Sequence, residues 1–216
     1  MATGFVSAAE MQAQLGGIPL ERIRMVPPPG TAKEQDLLRI LDSEDRICEL
    51  LDGILVEKTM GYYESRLAVV LIELLEGFVR QHDLGIVLGE AGTLRILRDQ
   101  IRVPDAAFLS WKYFPDRVLP AEPVPAIAPD LAVEVLSQGN TPGEMERKLD
   151  DYFAAGVRLV WLIEPRTQTA TVYESRNQRQ TLSPHDSLAG RDVLPGFELP
   201  LTQLFANAGR RAGFKG

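Results

Sequence analysis

The chain has 216 residues, 45% of them hydrophobic and 25% charged, enough for one globular core with short appendages. With 23 basic against 30 acidic residues the formal net charge is −7, which argues against a strong nonspecific nucleic-acid binder and leaves room only for a local basic rim. No apolar run nears the ~20 residues needed to span a bilayer, the start Met1-Ala2-Thr3-Gly4-Phe5 lacks the features of a signal peptide, and the lone Cys48 excludes an intrachain disulfide or a cysteine metal cluster. These features predict a cytoplasmic protein with no membrane segment.

In chain order, Ser7-Ala8-Ala9-Glu10 reads as a capping box opening a short helix that ends at Gly16-Gly17. Pro27-Pro28-Pro29-Gly30 breaks the chain. Thr31-Ala32-Lys33-Glu34 reads as a second capping box, with Leu37, Leu38, Ile40 and Leu41 following at helical spacing. Asp52-Gly53 between two apolar runs, 47–51 and 54–56, predicts a β-hairpin. Residues 63–81 read as a long helix, apolar on more than one side and therefore well buried. Short strands follow over 85–88 and 93–97 around the turn Gly89-Glu90-Ala91-Gly92.

Two apolar strands come next, 102–110 and 131–137, joined by a Pro-rich connection over 115–129. Thr141-Pro142-Gly143-Glu144 places a cap, a first-turn proline and a third-position glutamate at the head of a helix that stops at Gly156. Strands over 157–163 and 169–173 pair as a hairpin, and 180–182 adds an edge. Residues 204–206 lead into a polar tail expected to fray. The order of elements predicts an α/β or α+β layer structure with a mixed central sheet.

The chemistry is carried by acids placed inside apolar strands. Glu134 lies within Leu131-Ala132-Val133-Glu134-Val135-Leu136, and Asp105 within Val103-Pro104-Asp105-Ala106-Ala107-Phe108-Leu109. A charge buried in such a run is costly unless it is paired or bound. Strand alternation puts Val103, Asp105, Ala107 and Leu109 on one face, and Asp130, Ala132, Glu134 and Leu136 on another. Paired strands would bring Asp105 and Glu134 together as hard oxygen ligands suited to Mg²⁺ or Mn²⁺. Lys148, on the helix after the Glu134 strand, is the candidate cation that orients or helps deprotonate a water.

The ordered set Arg102-Val103-Pro104-Asp105, Pro129 to Ser137 around Glu134, Lys148-Leu149 with Tyr152, and Gly156-Val157 with Val160-Trp161 resembles the PD-(D/E)XK nuclease superfamily, and within it the Uma-two branch of restriction-endonuclease-like proteins. Leu51-Asp52-Gly53, Met60-Gly61-Tyr62 with Glu64-Ser65, and Leu194-Pro195-Gly196-Phe197 extend the resemblance over residues 36–205. It implies a restriction-endonuclease-like α/β (α+β) fold, with a helical appendage over 1–35, the nuclease domain over 36–206 and a flexible tail over 207–216. It also implies Asp105 and Glu134 as metal ligands, Lys148 as the catalytic lysine, Glu64 as an auxiliary acid, DNA as substrate and a homodimer. The superfamily's usual lysine two residues after the glutamate is absent, because Leu136 holds that place.

Each assignment has a plainer alternative. Glu134 would be a salt-bridged strand-end acid, and Asp105 a strand-entry residue. Lys148 would be a solvated partner of Glu144, and Glu64 a first-turn acid favoured by the helix dipole. Asp130 reads as structural, Tyr152 as core at the site's edge, and His82 and His185 as outside any site. The rival function is an inactive nuclease fold serving as an interaction or structural module. A third possibility, a carboxylate-pair hydrolase acting on sugars, has no positive feature in its favour.

Overall fold

The computed structural model describes residues 7–44 and 46–209, so most of the expected tail over 207–216 and the first six residues of the appendage lie outside the described residues. Two sheets carry the site. Strands β1 (Cys48–Leu51), β2 (Ile54–Glu57), β4 (Leu94–Leu97) and β5 (Gln100–Arg102) form an antiparallel sheet in the order β2-β1-β5-β4. Strands β3 (Gly85–Gly89), β6 (Ala106–Ser110), β7 (Leu131–Val135), β8 (Leu159–Glu164), β9 (Thr169–Ser175) and β10 (Gln178–Leu182) form a mixed sheet in the order β10-β9-β8-β7-β6-β3. Its one parallel pair is β7–β8, joined by the crossover helix α4 (Pro142–Ala154).

β7 and β8 are buried on both faces, as crossover strands of a covered sheet are, which explains their continuous apolar reading. Alternate residues separate two cores. Leu131, Val133 and Val135 join Trp161 and Ile163 beneath α3 (Tyr62–Gln81) and α5 (Leu201–Ala208). Ala132 joins Ala107, Leu109, Val160 and Leu162 beneath Met145, Leu149 and Tyr152 of α4. Glu134 shares the face of Ala132 and therefore points toward α4. The hairpin at Asp52-Gly53 forms as expected, with φ of 49° and 77° at the two positions.

Three expectations are corrected. The strand read over 102–110 is two strands in different sheets, because Pro104 has no N–H to give a ladder; β5 ends at Arg102 and β6 starts at Ala106. Val103 and Asp105 therefore lie outside the strand, while Ala107 and Leu109 share one face of β6. The cap of α2 (Glu34–Ser43) is Lys33, whose N–H is accepted by the Asp36 carboxylate at 2.8 Å, while Thr31 instead donates to the Pro28 carbonyl at 2.7 Å. A hairpin of β11 (Ser187–Ala189) and β12 (Glu198–Pro200) occupies a stretch for which the sequence predicts no element, and α5 follows where residues 204–206 are expected only to lead into the tail.

The N-terminal segment packs onto the first hairpin. Helix α1 (Ala8–Gln14) opens on Ser7, as its capping pattern predicts. Met11, Leu15, Ile18 and Ile23 then bury against Leu51, Ile54 and Val56 of the first hairpin. Gly16, at φ 78°, lies so close to Gly143 at the head of α4 that a Cβ there would meet backbone at 2.2 Å. Arg22 reaches the same helix end and grips Glu144 with two hydrogen bonds of 2.8 and 2.9 Å.

Candidate functional site

The site forms where the two sheets meet α4. Glu134 on β7 accepts from the Lys148 ammonium at 2.9 Å and from the Tyr152 hydroxyl at 2.6 Å. Lys148 and Tyr152 are four apart on α4, so their side chains lie one above the other on the face that meets the sheet. Continuing the β6–β7 register one residue beyond Ala106 and Val133 puts Asp105 opposite Glu134. Because Asp105 sits in the link between sheets, its Oδ2 is free to accept from the Val135 N–H at 2.6 Å.

Two residues that sequence reasoning did not single out complete the cluster, and a third entered only as part of a motif. Lys58, just past β2, places its ammonium 2.6 Å from Asp105 Oδ1 and also donates to the Val103 carbonyl. Glu49 on β1 accepts from the Val103 N–H at 3.1 Å and from Arg102 at 2.7 Å, and its Oε1 lies 3.3 Å from Lys148. Arg102 in turn bonds Asp151 on the next turn of α4. Glu49 carried the signal that marked Glu134, an acid between apolar neighbours in Cys48-Glu49-Leu50-Leu51. Lys58 carried none, since a cation leaving a hairpin is usually solvated.

The cluster balances three carboxylates (Glu49, Asp105, Glu134) against three cations (Lys58, Arg102, Lys148), all buried at the side chain. Burial pushes the Glu134 carboxyl above its ordinary range; Asp105 and Glu49 add to this, and Lys148 and Lys58 oppose it. Burial would raise Glu49 too, but Lys148, Arg102 and Lys58 outweigh it and hold that carboxyl at about 2. Lys148 goes the other way: burial favours its neutral form, yet Glu134 and Glu49 keep its affinity for the proton above that of an ordinary lysine. Lys148 is therefore a charged ammonium near neutral pH, suited to neutralising and orienting and unsuited to accepting a proton. Burial and the neighbouring Glu134 likewise keep the Tyr152 hydroxyl protonated.

Asp105, Glu134 and Lys148 thus come together. The structure does not pair Lys148 with Glu144, which is taken by Arg22. Glu64 is buried in the first turn of α3, its carboxylate turned back on the N-cap Gly61, where a Cβ would lie 2.2 Å from Oε2. Asp130 has the expected structural role, accepting from the Ser110 N–H at 2.9 Å and pairing with Lys112 and Arg158. His82 stacks on Phe78 at the end of α3. Gly89 to Gly92 form a turn closed by a 2.8 Å bond from the Gly92 N–H to the Gly89 carbonyl.

Asp105 Oδ1 is buried without a hydrogen bond of proper geometry, although the Lys58 ammonium lies beside it. Among the described residues no group of three or more His, Cys, Asp or Glu side chains is arranged to hold a metal. Two carboxylates with water and substrate oxygens are nevertheless an ordinary environment for Mg²⁺. None of the described helices is long and apolar enough to cross a membrane.

Residues 34–202 match the family described as "Uma2: Putative restriction endonuclease". Among solved structures, one described as a putative nuclease belonging to DUF820, from Anabaena variabilis, superposes with a TM-score of 0.66 at 20% identity, over 75% of this chain and 91% of that one. At that identity the likeness speaks for the fold. No curated protein matches the chain.

Proposed function

Because the chain belongs to the Uma2 family, we propose that it is a metal-dependent endonuclease that hydrolyses DNA phosphodiester bonds, with its chemistry at Asp105, Glu134 and Lys148. The observation that carries this reading is the convergence of Asp105 and Glu134, from separate elements, beside a lysine held charged. Asp105 and Glu134 would hold Mg²⁺ or Mn²⁺. Once bound, such an ion neutralises charge on a phosphoryl oxygen and acidifies a coordinated water.

The chain's own groups supply the rest. Val135 N–H fixes Asp105, and Tyr152 fixes Glu134, so both carboxylates are oriented before substrate arrives. Lys148 neutralises developing negative charge and orients the water. Glu49 anchors Lys148 from behind and is itself held by Arg102, which is tied to α4 through Asp151. Glu64 is the candidate further acid at the head of α3.

The test is nicking of supercoiled plasmid in Mg²⁺ or Mn²⁺. We expect cleavage by the wild type, its abolition by EDTA, and a loss of at least ~100-fold in Glu134→Gln and in Asp105→Asn. Equal cleavage by the wild type and both variants would refute the assignment. One feature favours the rival reading of an inactive structural module: Lys58 and Lys148 already neutralise both acids. A protein that binds no Mn²⁺ would support that reading.

A further inference from the structure

Arg22 lies ahead of the stretch matched by the family, in the segment that packs onto the first hairpin, and it is only 6% exposed. The hydrogen bonds of its guanidinium go to elements that carry the site. Nε donates to the Glu57 carbonyl at 2.9 Å, and the next residue is Lys58, whose ammonium faces Asp105. Nη1 donates to the Gly139 carbonyl at 2.8 Å, in the link between the Glu134 strand and α4. Nη1 and Nη2 both donate to the Glu144 carboxylate, one turn of α4 before Lys148.

The segment itself is seated by other contacts. Met11, Leu15, Ile18 and Ile23 bury it against the hairpin, the Thr141 hydroxyl donates to the Gly16 carbonyl at 2.7 Å, and Arg147 donates to the Gln14 carbonyl at 2.7 Å. A guanidinium is planar with its donors in fixed directions, so it fixes its acceptors relative to one another. Here the acceptors are the strand end before Lys58, the link after Glu134 and the head of the Lys148 helix. The link also packs tightly on the neighbour of Lys58, since a Cβ on Gly139 would meet Thr59 Oγ1 at 2.7 Å. Movement of any one element shifts Lys58 or Lys148 against Asp105 and Glu134, which they meet at 2.6 and 2.9 Å.

We propose that Arg22 is a positioning residue of the site: by holding the Glu57 and Gly139 carbonyls and Glu144 at once, it sets Lys58 and Lys148 against Asp105 and Glu134. It touches none of the reacting groups itself. The proposal rests on the nuclease reading above and adds to its machinery a residue from outside the matched stretch. The experiment compares full-length wild type, Arg22→Lys and Leu204→Ala at a temperature where circular dichroism shows all three folded. Lysine keeps a charge for Glu144 but, as a point cation on a flexible stem, cannot hold three acceptors in one arrangement. Leu204→Ala is the control for lost stability alone, because it opens a cavity in the core beneath α5, on the face of the sheet away from Glu134. Initial rates of plasmid nicking in Mg²⁺ give kcat and KM, and titration calorimetry gives the affinity for Mn²⁺.

Groups that orient the ligands of a metal site typically cost about 10–100-fold in affinity or activity when lost. We therefore expect Arg22→Lys to lower kcat and to weaken Mn²⁺ binding by at least ~10-fold each, with KM within about twofold of wild type. Leu204→Ala should leave all three within about twofold. Wild-type kcat and Mn²⁺ affinity in Arg22→Lys, a change confined to KM, or an equal loss in Leu204→Ala would overturn the proposal. The two readings fail separately. A wild type that binds Mn²⁺ in an Arg22-dependent way without cleaving supports the positioning role and refutes the nuclease. Cleavage and Mn²⁺ binding unchanged in Arg22→Lys support the nuclease and refute the positioning role. A wild type that neither cleaves nor binds Mn²⁺ overturns both.

Discussion

Replacing Lys148 by methionine leaves two buried carboxylates without their shared cation, because the ammonium lies 2.9 Å from Glu134 and 3.3 Å from Glu49. Removing one member of a buried ion pair costs about 3–5 kcal/mol, most of it the penalty of a charge left uncompensated. Glu49 keeps Arg102 and the Val103 N–H, so the larger share falls on Glu134, which keeps only the Tyr152 hydroxyl as a hydrogen-bond donor. For a chain of this size such a loss lowers the melting temperature by roughly 6–20 °C. Glu134 can relieve it by taking a proton, as burial already favours, so the variant should lose more stability at pH 8 than at pH 5. The double variant Glu134→Gln with Lys148→Met removes the uncompensated charge and should recover most of the loss. The assay is urea unfolding followed by circular dichroism at both pH values. A loss below about 1 kcal/mol in Lys148→Met, or a double variant no more stable than the single one, would refute the reasoning.

Three further outcomes follow from the same geometry. Lys58→Met removes the cation that competes for Asp105, so Mn²⁺ should raise the melting temperature of that variant more than that of the wild type; an equal or smaller rise would count against a cation site at Asp105. Arg22 and neighbouring donors hold the buried Glu144 ionised below its ordinary value of 4.5, so the unfolded chain takes up that proton first as pH falls. The stability gap between wild type and Glu144→Gln, measured in urea, should be full at about pH 6 and should narrow below pH 4.5; a gap independent of pH would contradict the pairing. Arg22→Ala should destabilise the protein by about 3 kcal/mol in the same titration, because it strands the carboxylate at the head of α4; an effect within about 0.5 kcal/mol would contradict the pairing.

Glu134 was legible because an acid in an apolar strand has few stable explanations, and Lys148 because helical spacing placed it toward that strand. Asp105 is legible from the pairing of its strand with that of Glu134, although Pro104 ends β5 before it and the acid meets β7 from the link. Glu49 and Arg102 needed the sheet-to-helix packing to acquire meaning: the two lie 53 residues apart in sequence, and Lys148 is farther still along the chain. Local periodicity carries no information about such meetings. The second sheet was hidden for the same reason, since β4 and β5 are short and take their pairing from β1. Helix α5 was legible in principle: Leu201, Leu204, Phe205 and Ala208 repeat at helical spacing and are all buried. It was obscured by the polar tail that follows.

The central claim is that Asp105 and Glu134 together bind a divalent cation, and titration calorimetry with Mn²⁺ tests it most directly. The wild type should show one saturable site that is lost in both Asp105→Asn and Glu134→Gln. A wild type that takes up no Mn²⁺, or variants that bind it unchanged, would contradict the claim.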